Sequence, residues 1–100
     1  MSTSVANAKT DAFDPGTFVY IGRANGRYRF KASIWANPFT IGKDGNREQV
    51  INLYRDYMHG PHAAHLRPRL PELRDKRLVC WCHPLPCHGD VLVEMVEALE

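Results

Sequence analysis

The stretch R-L-V-C-W-C-H-P-L-P-C-H-G-D (77–90) constrains the fold of this chain more than any other. It reads as a short apolar strand, a proline-stiffened loop and a helix start, with the patterned run Val91 to Leu99 continuing the helix. Leu92, Met95, Val96 and Leu99 make that helix's apolar face. All three cysteines fall in this stretch, together with His83, His88 and Asp90. Polar clusters at a strand-to-helix turn are where α/β proteins place chemistry.

A strand of this kind needs a partner, and T-F-V-Y-I-G (17–22) supplies one. Its run of aromatic and β-branched residues ending at a glycine predicts a strand buried on both faces. Between the two strands, Asn46 with Gln49 forms a capping-box signal. From there Val50, Ile51, Tyr54, Tyr57 and Met58 repeat at helical spacing, with Arg47, Glu48, Asn52, Arg55 and Asp56 facing out. Gly60 is expected to end this helix in the left-handed conformation, and Pro61 prevents its continuation. Leu66, Leu70 and Leu73 have helical spacing, but Pro68 and Pro71 restrict the segment to short turns. His59, His62 and His65 lie on that connector and read as surface residues. Strand, helix, strand, helix in this order predicts parallel, central, adjacent strands joined by a right-handed crossover. The fold class is thus α/β: a small single-domain Rossmann-like fold of two or three layers with a short parallel central sheet.

Residues 1–16 show no period and are expected to form a flexible N-terminal tail, leaving 17–100 as one α/β domain. One hundred residues suffice for one modest core. No apolar run approaches the roughly 20 residues of a membrane span, so no membrane partner is expected. The start of the chain lacks a secretory pattern, and an odd cysteine count fits reduced thiols, so the expected location is the cytoplasm.

Charge is unevenly placed. Arg23, Arg27, Arg29, Lys31, Lys43 and Arg47 face a single acid, Asp44, between positions 23 and 47, whereas the last fourteen residues hold acids and no Lys or Arg. This favours an anionic ligand near the first half, with a plain solvated basic face as the alternative. Arg23, following the buried strand, is the arginine best placed to be fixed. R-A-N-G-R-Y-R-F (23–30) reads as a basic loop with some strand character. S-I-W-A-N-P-F (33–39) is a compact turn whose Trp35, Asn37 and Phe39 are either ligand walls or local packing.

Gly22 and Arg23 should meet the loop from Cys82 to His88 in one crevice at the carboxyl ends of the strands. Three readings of that loop stand. Cys80, Cys82, Cys87 and His88 have the ligand chemistry for a zinc ion, at an uncommon spacing. In the second, Cys87 is a functional thiol with its pKa lowered by the helix start, and His88 and Asp90 act as acid, base or orienting groups. In the third, Cys87 and Asp90 merely cap the helix. The thiol reading is taken forward, without metal and without a cofactor. The catalytic candidates are Cys87, His88 and Asp90; the ligand-binding candidates are Gly22, Arg23, Ser33, Trp35, Asn37 and Cys82.

The motifs V-Y-I-G-R (19–23), S-x-W-A-N-P-F (33–39), I-G-K-D-G-x-R (41–47) and L-V-C-W-C-x-P-x-P-C-H-G-D-V-L (78–92) resemble a domain-of-unknown-function family found in actinobacteriophages and in bacteria. The resemblance runs from about Phe18 to Leu99 and is anchored on Cys80, Trp81, Cys82, Pro84, Cys87, His88, Gly89 and Asp90. It implies a phage or bacterial cytoplasmic protein and brings no activity with it. The expected function is binding of a small anionic ligand, such as a nucleotide or phosphate, between Arg23 and the Cys/His loop. Whether a reaction follows is left open. The alternatives are a phage-encoded module that binds a host protein and whose cysteines are structural, and a zinc-binding domain using Cys80, Cys82, Cys87 and His88. Diffuse nucleic-acid binding is a further outcome of the basic charge.

Overall fold

The computed structural model describes residues 3–7, 18–23, 31–81 and 85–99. Three short strands form one parallel sheet: β1 (Ser4–Asn7), β2 (Phe18–Tyr20) and β3 (Arg77–Cys80), in the order β1-β3-β2. Helix α1 (Arg47–His59) lies in the connection from β2 to β3, and helix α2 (His88–Glu97) follows β3. The result is a small α/β domain with the expected parallel pairing of β2 and β3.

β3 is the centre. Leu78 pairs with Val5 on one side and with Val19 on the other. Leu78, Val79 and Cys80 are all buried, as a continuous apolar run in a parallel sheet requires. Strand alternation puts Leu78 and Cys80 on the face that shares a core with α1 and α2. Ala6 and Val79 pair on the opposite face and are also fully buried. β2, expected to be central as well, is an edge strand among the described residues, and its three residues are only half-buried. Ile21, just past it, is the residue that reaches the core, its N–H donating to the Val79 carbonyl at 3.0 Å.

β1 corrects the expectation of a tail at residues 4–7 alone. It holds only two apolar residues, Val5 and Ala6, so no hydrophobic period marks it. The open edge of β3 forms it instead, by supplying a ladder partner for all four of its residues. The buried Thr3 hydroxyl donates to the Leu73 carbonyl at 2.8 Å, and the Asn7 amide donates to the Trp81 carbonyl at 3.1 Å.

α1 begins as its sequence dictates. Asn46 Oδ1 accepts the Gln49 N–H at 2.8 Å, and Gln49 Oε1 accepts the Asn46 N–H at 2.8 Å. Val50, Tyr54 and Met58 are buried, while Ile51 and Tyr57 pack at the core's margin. Its end differs from expectation: Gly60 has φ −94° and ψ −179°, an extended conformation. Pro61 explains this, because a residue preceding proline is pushed into the extended region. Arg67 Nη1 then caps the helix by donating to the Met58 and Gly60 carbonyls at 3.1 and 2.6 Å. The proline-rich connector forms two short 3₁₀ segments, Pro61–Ala63 and Arg67–Leu73, that bury Ala63, Leu70 and Leu73. Leu66, between them, is buried too, and His59, His62 and His65 are exposed.

α2 starts at His88, with Cys87 as its N-cap. Val91, Leu92, Met95 and Val96 are buried, but Leu99 lies past the helix end and is 44% exposed. Among the described residues no helix is long and apolar enough to cross a membrane.

Candidate functional site

The carboxyl ends of β2 and β3 open into one cavity of about 390 Å³. Gly22 and Arg23 reach it from β2, Cys80 and Trp81 from β3, and Pro86, Cys87 and His88 from the start of α2. The turn before α1 contributes Asn37, Phe39, Thr40 and Ile41, and α1 itself contributes Arg47, Val50 and Ile51. Parallel strands direct their following loops to the same end of the sheet, which is why sequence-distant segments converge here.

The two strand ends are tied by polar side chains. Trp81 Nε1 donates to the Tyr20 hydroxyl at 2.8 Å, and that hydroxyl donates to the Arg23 carbonyl at 2.6 Å. The rings of Tyr20 and Trp81 meet edge to face with centroids 6.4 Å apart. The turn 35–40 is held from two sides. Tyr54 donates its hydroxyl to the Trp35 carbonyl at 2.7 Å, and the Asn37 amide donates to the Val50 carbonyl at 3.3 Å. Arg23 closes the arrangement: Nε and Nη2 donate to the Asn37 carbonyl at 3.3 and 3.0 Å, and Nη2 also reaches the Phe39 carbonyl and Thr40 Oγ1 at 3.2 and 2.9 Å. Arg23 is therefore a clamp on this turn as well as a charge on the cavity wall. Arg47 uses Nη1 to hold the Pro86 carbonyl at 3.0 Å.

Gly22, Arg23, Asn37, Cys87 and His88, all candidates from the sequence, come together in this cavity. Ser33 and Trp35 do not line it. Ser33 Oγ accepts the Trp35 N–H at 3.0 Å in a local turn, and the Trp35 side chain is buried in the core. Asp90 is also outside the lining; its Oδ2 accepts the Cys87 N–H at 3.1 Å and caps α2. Cys82 and the segment Ala24 to Phe30 lie outside the described residues.

Cys87 departs most from expectation. Its Sγ lies 3.3 Å from Cys80 Sγ, and both thiols are buried. The hydrogen bond with Cys80 and then burial push the Cys87 thiol well above the ordinary range, outweighing the Gly89 N–H that acts in the opposite direction. A buried, hydrogen-bonded thiol is not an activated nucleophile. His88 Nε2 is engaged with the Ile21 carbonyl at 2.8 Å, so that nitrogen is not free to take a metal. Among the described residues no three His, Cys, Asp or Glu side chains cluster.

Alkylation checks the thiol assignment. Cys80 and Cys87 should react with iodoacetamide only as fast as the protein unfolds, and denaturant should release both. The linkage has a definite sign. A thiol whose folded pKa is raised stays protonated while its unfolded counterpart ionises, so stability should fall as pH rises above about 8.5. Fast labelling of Cys87 at pH 7.5 in the folded protein would reject this arrangement.

His88 is half-buried and packs against Tyr54, with ring centroids 5.0 Å apart and planes at 77°. Burial, and then the Arg23 charge, lower its pKa from the usual histidine value, although the Ile21 carbonyl acts in the opposite direction. The imidazole is thus neutral at pH 7, and a carbonyl partner requires Nε2 to carry the proton.

Sequence reasoning missed much of the wall. The helical pattern puts Arg47 on the solvent face of α1 and does not mark Thr40, Ile41, Val50, Ile51, Trp81 or Pro86 as ligand contacts, whereas Phe39 is among the residues the 33–39 turn offers. The signal available was the I-G-K-D-G-x-R run, which places Arg47 in the first turn of a capped helix beside a glycine-containing turn.

Residues 5–98 match a family described as a domain of unknown function, DUF4326. An uncharacterised protein of Acanthamoeba polyphaga mimivirus is 36% identical over 92 residues, which cover 82% of this chain and 68% of the relative. An uncharacterised 12.4 kDa protein from the nrdA-td intergenic region of Enterobacteria phage T4 is 36% identical over 72 residues, covering 69% of this chain and 65% of that protein. No solved structure matches the chain. The chain belongs to the DUF4326 family.

Proposed function

We propose that this DUF4326 domain binds a small anionic ligand, a nucleotide or a similar phosphate-bearing molecule, at the carboxyl ends of β2 and β3. The observation that carries this reading is the cavity of about 390 Å³ whose wall holds two arginines over an otherwise mainly apolar lining. That volume falls in the range of small-molecule sites, roughly 300–1,000 Å³. Each guanidinium is oriented by main-chain carbonyls, through Nε and Nη2 in Arg23 and Nη1 in Arg47. Arg23 Nη1 and Arg47 Nη2 have no partner among the described residues, leaving pre-positioned donors for an anion. Phe39, Ile41, Val50 and Ile51 offer the apolar surface that a planar group needs.

The reading assigns the cysteines to structure and the basic groups to binding. It assigns the protein to the cytoplasm, that of the host cell if the chain is phage-encoded, a setting that phage and mimivirus relatives fit. The competing idea, a host-protein module, gains support from the buried thiol pair but has no use for an open cavity.

Calorimetric titration with inorganic phosphate and nucleoside 5′-monophosphates tests it. Arg47→Ala should weaken binding about ten-fold, or about 1.5 kcal/mol, the lower end for a hydrogen bond to a charged group. Stability should barely change, because Arg47 holds only the exposed Pro86 loop. Arg23→Ala should lower both affinity and stability, since Arg23 also clamps the turn 37–40. Equal, salt-sensitive losses at every basic position would replace this reading with diffuse nucleic-acid binding.

A further inference from the structure

The cavity contains one uncharged polar group whose chemistry the anion reading leaves unused. His88 Nε2 is fixed on the Ile21 carbonyl at 2.8 Å, so it donates, and the neutral ring must present a lone pair at Nδ1. Nδ1 has no hydrogen-bond partner among the described residues. None of their buried side-chain nitrogens or oxygens lacks a partner, so Nδ1 is not sealed in the core. His88 lines the cavity, and with Nε2 taken by Ile21, Nδ1 is the ring nitrogen left to serve it. The ring itself is immobilised: the Tyr54 ring meets it edge to face, and Tyr54 is locked by its own bond to the Trp35 carbonyl.

We infer that His88 Nδ1 is a specificity-determining acceptor, selecting anionic ligands that also carry an O–H or N–H donor within the cavity. This inference rests on the anion-binding reading and adds the second half of the ligand. The arginines recognise charge and do not distinguish bare phosphate from a phosphorylated molecule. A tautomer-locked imidazole adds a second requirement, a donor that reaches it while the arginines hold the anion, because it accepts and has no proton to give at Nδ1. The ligand class is a phosphorylated compound with hydroxyl or amide groups, of which nucleoside 5′-monophosphates are the natural probe: ribose hydroxyls and base N–H groups both donate. A group that accepts only, such as an ether or a second unprotonated phosphate oxygen, would be repelled by the Nδ1 lone pair.

Two measurements on the full chain decide the matter. The first is ¹⁵N imidazole correlation NMR of the free wild-type protein at pH 7. It should show His88 protonated at Nε2 with Nδ1 bare, and the Nδ1 resonance should move when a ribonucleoside 5′-monophosphate is added. A ring protonated at Nδ1 would overturn the inference before any ligand is involved. The second is calorimetry on His88→Gln and His88→Asn with inorganic phosphate and with the four ribonucleoside 5′-monophosphates. Gln keeps a donor for Ile21 but has no acceptor at the Nδ1 position, so nucleotide affinity should fall about ten-fold while phosphate affinity stays. Asn places an amide oxygen near Nδ1 and should restore most of the nucleotide affinity. If His88→Gln binds nucleotides as tightly as wild type, or if wild type prefers no nucleotide over phosphate, the inference fails and the anion site survives. Binding of neither probe to wild type would remove the anion reading itself and this inference with it.

Discussion

Ala6→Asp should destabilise the domain by about 3–5 kcal/mol, the usual penalty for an uncompensated buried charge. Ala6 is fully buried in β1 and pairs with the equally buried Val79, with Arg77 and Trp81 as diagonal neighbours on that face. Val79 offers a carboxylate neither a cation nor a donor, and Arg77 is itself exposed at the rim of that face. Domains of this size are stable by roughly 5–15 kcal/mol, so the loss would be a large share of the total. Ser4→Asp is the control, because Ser4 lies in the same strand but is exposed; it should change stability by less than about 0.5 kcal/mol. Urea unfolding followed by circular dichroism reads both. Two variants indistinguishable from wild type would mean that residues 4–7 contribute nothing to the sheet, restoring the flexible tail.

What the residues reveal by themselves is what neighbours in sequence decide. The cap of α1 is of this kind: Asn46 and Gln49 are three residues apart, and their two reciprocal bonds form wherever the chain is placed. The buried strand β3 is legible for a similar reason, since its apolar run fits no exposed position. β1 is not legible, because two apolar residues among Ser, Thr and Asn specify no strand until the edge of β3 is there to pair with them. Gly60 shows a conflict between two local rules, in which Pro61 overrides the glycine's tendency towards the left-handed region.

The site divides along the same line. That Gly22, Arg23 and the Cys87–His88 helix start share a crevice follows from parallel topology, and it was readable from the order of elements. The state of Cys87 was not. Position at a helix start lowers a thiol pKa, but Cys80, seven residues away in sequence and 3.3 Å away in space, reverses the sign. Arg47 was hidden for a comparable reason: its partner is the Pro86 carbonyl, brought near only by the folded loop before α2.

Gly89 is where the sheet, the helix and the candidate site are joined, and its replacement should have the second large effect. A Cβ at this position would stand 2.9 Å from Ile21 Cδ1, 3.1 Å from Val5 Cγ2 and 3.3 Å from Cys87 Sγ. These atoms belong to β1, the end of β2 and the α2 cap, so the start of α2 rests on the sheet because this residue has no side chain. Gly89→Ala should cost about 1 kcal/mol, since overpacking of roughly 1–3 kcal/mol is partly offset by alanine's better helix propensity. Gly89→Val should cost about 3 kcal/mol, because its two further methyl groups have no space and its helix propensity offers little compensation. The displacement has a chemical readout as well. Lifting α2 from the strand ends would lengthen the bond from His88 Nε2 to the Ile21 carbonyl and admit water to the ring. As desolvation is the main cause of the lowered His88 pKa, the pKa should move back towards the ordinary histidine value in Gly89→Val. The sign for stability follows. A histidine with a lowered folded pKa contributes stability that is present above about 6.5 and lost as pH falls through the folded value, so acid sensitivity from His88 should shrink in the variant. Denaturation midpoints at pH 5 and pH 7, with NMR titration of His88, measure both consequences. A Gly89→Val protein as stable as wild type, with His88 titrating unchanged, would show that α2 does not sit on the sheet through this glycine.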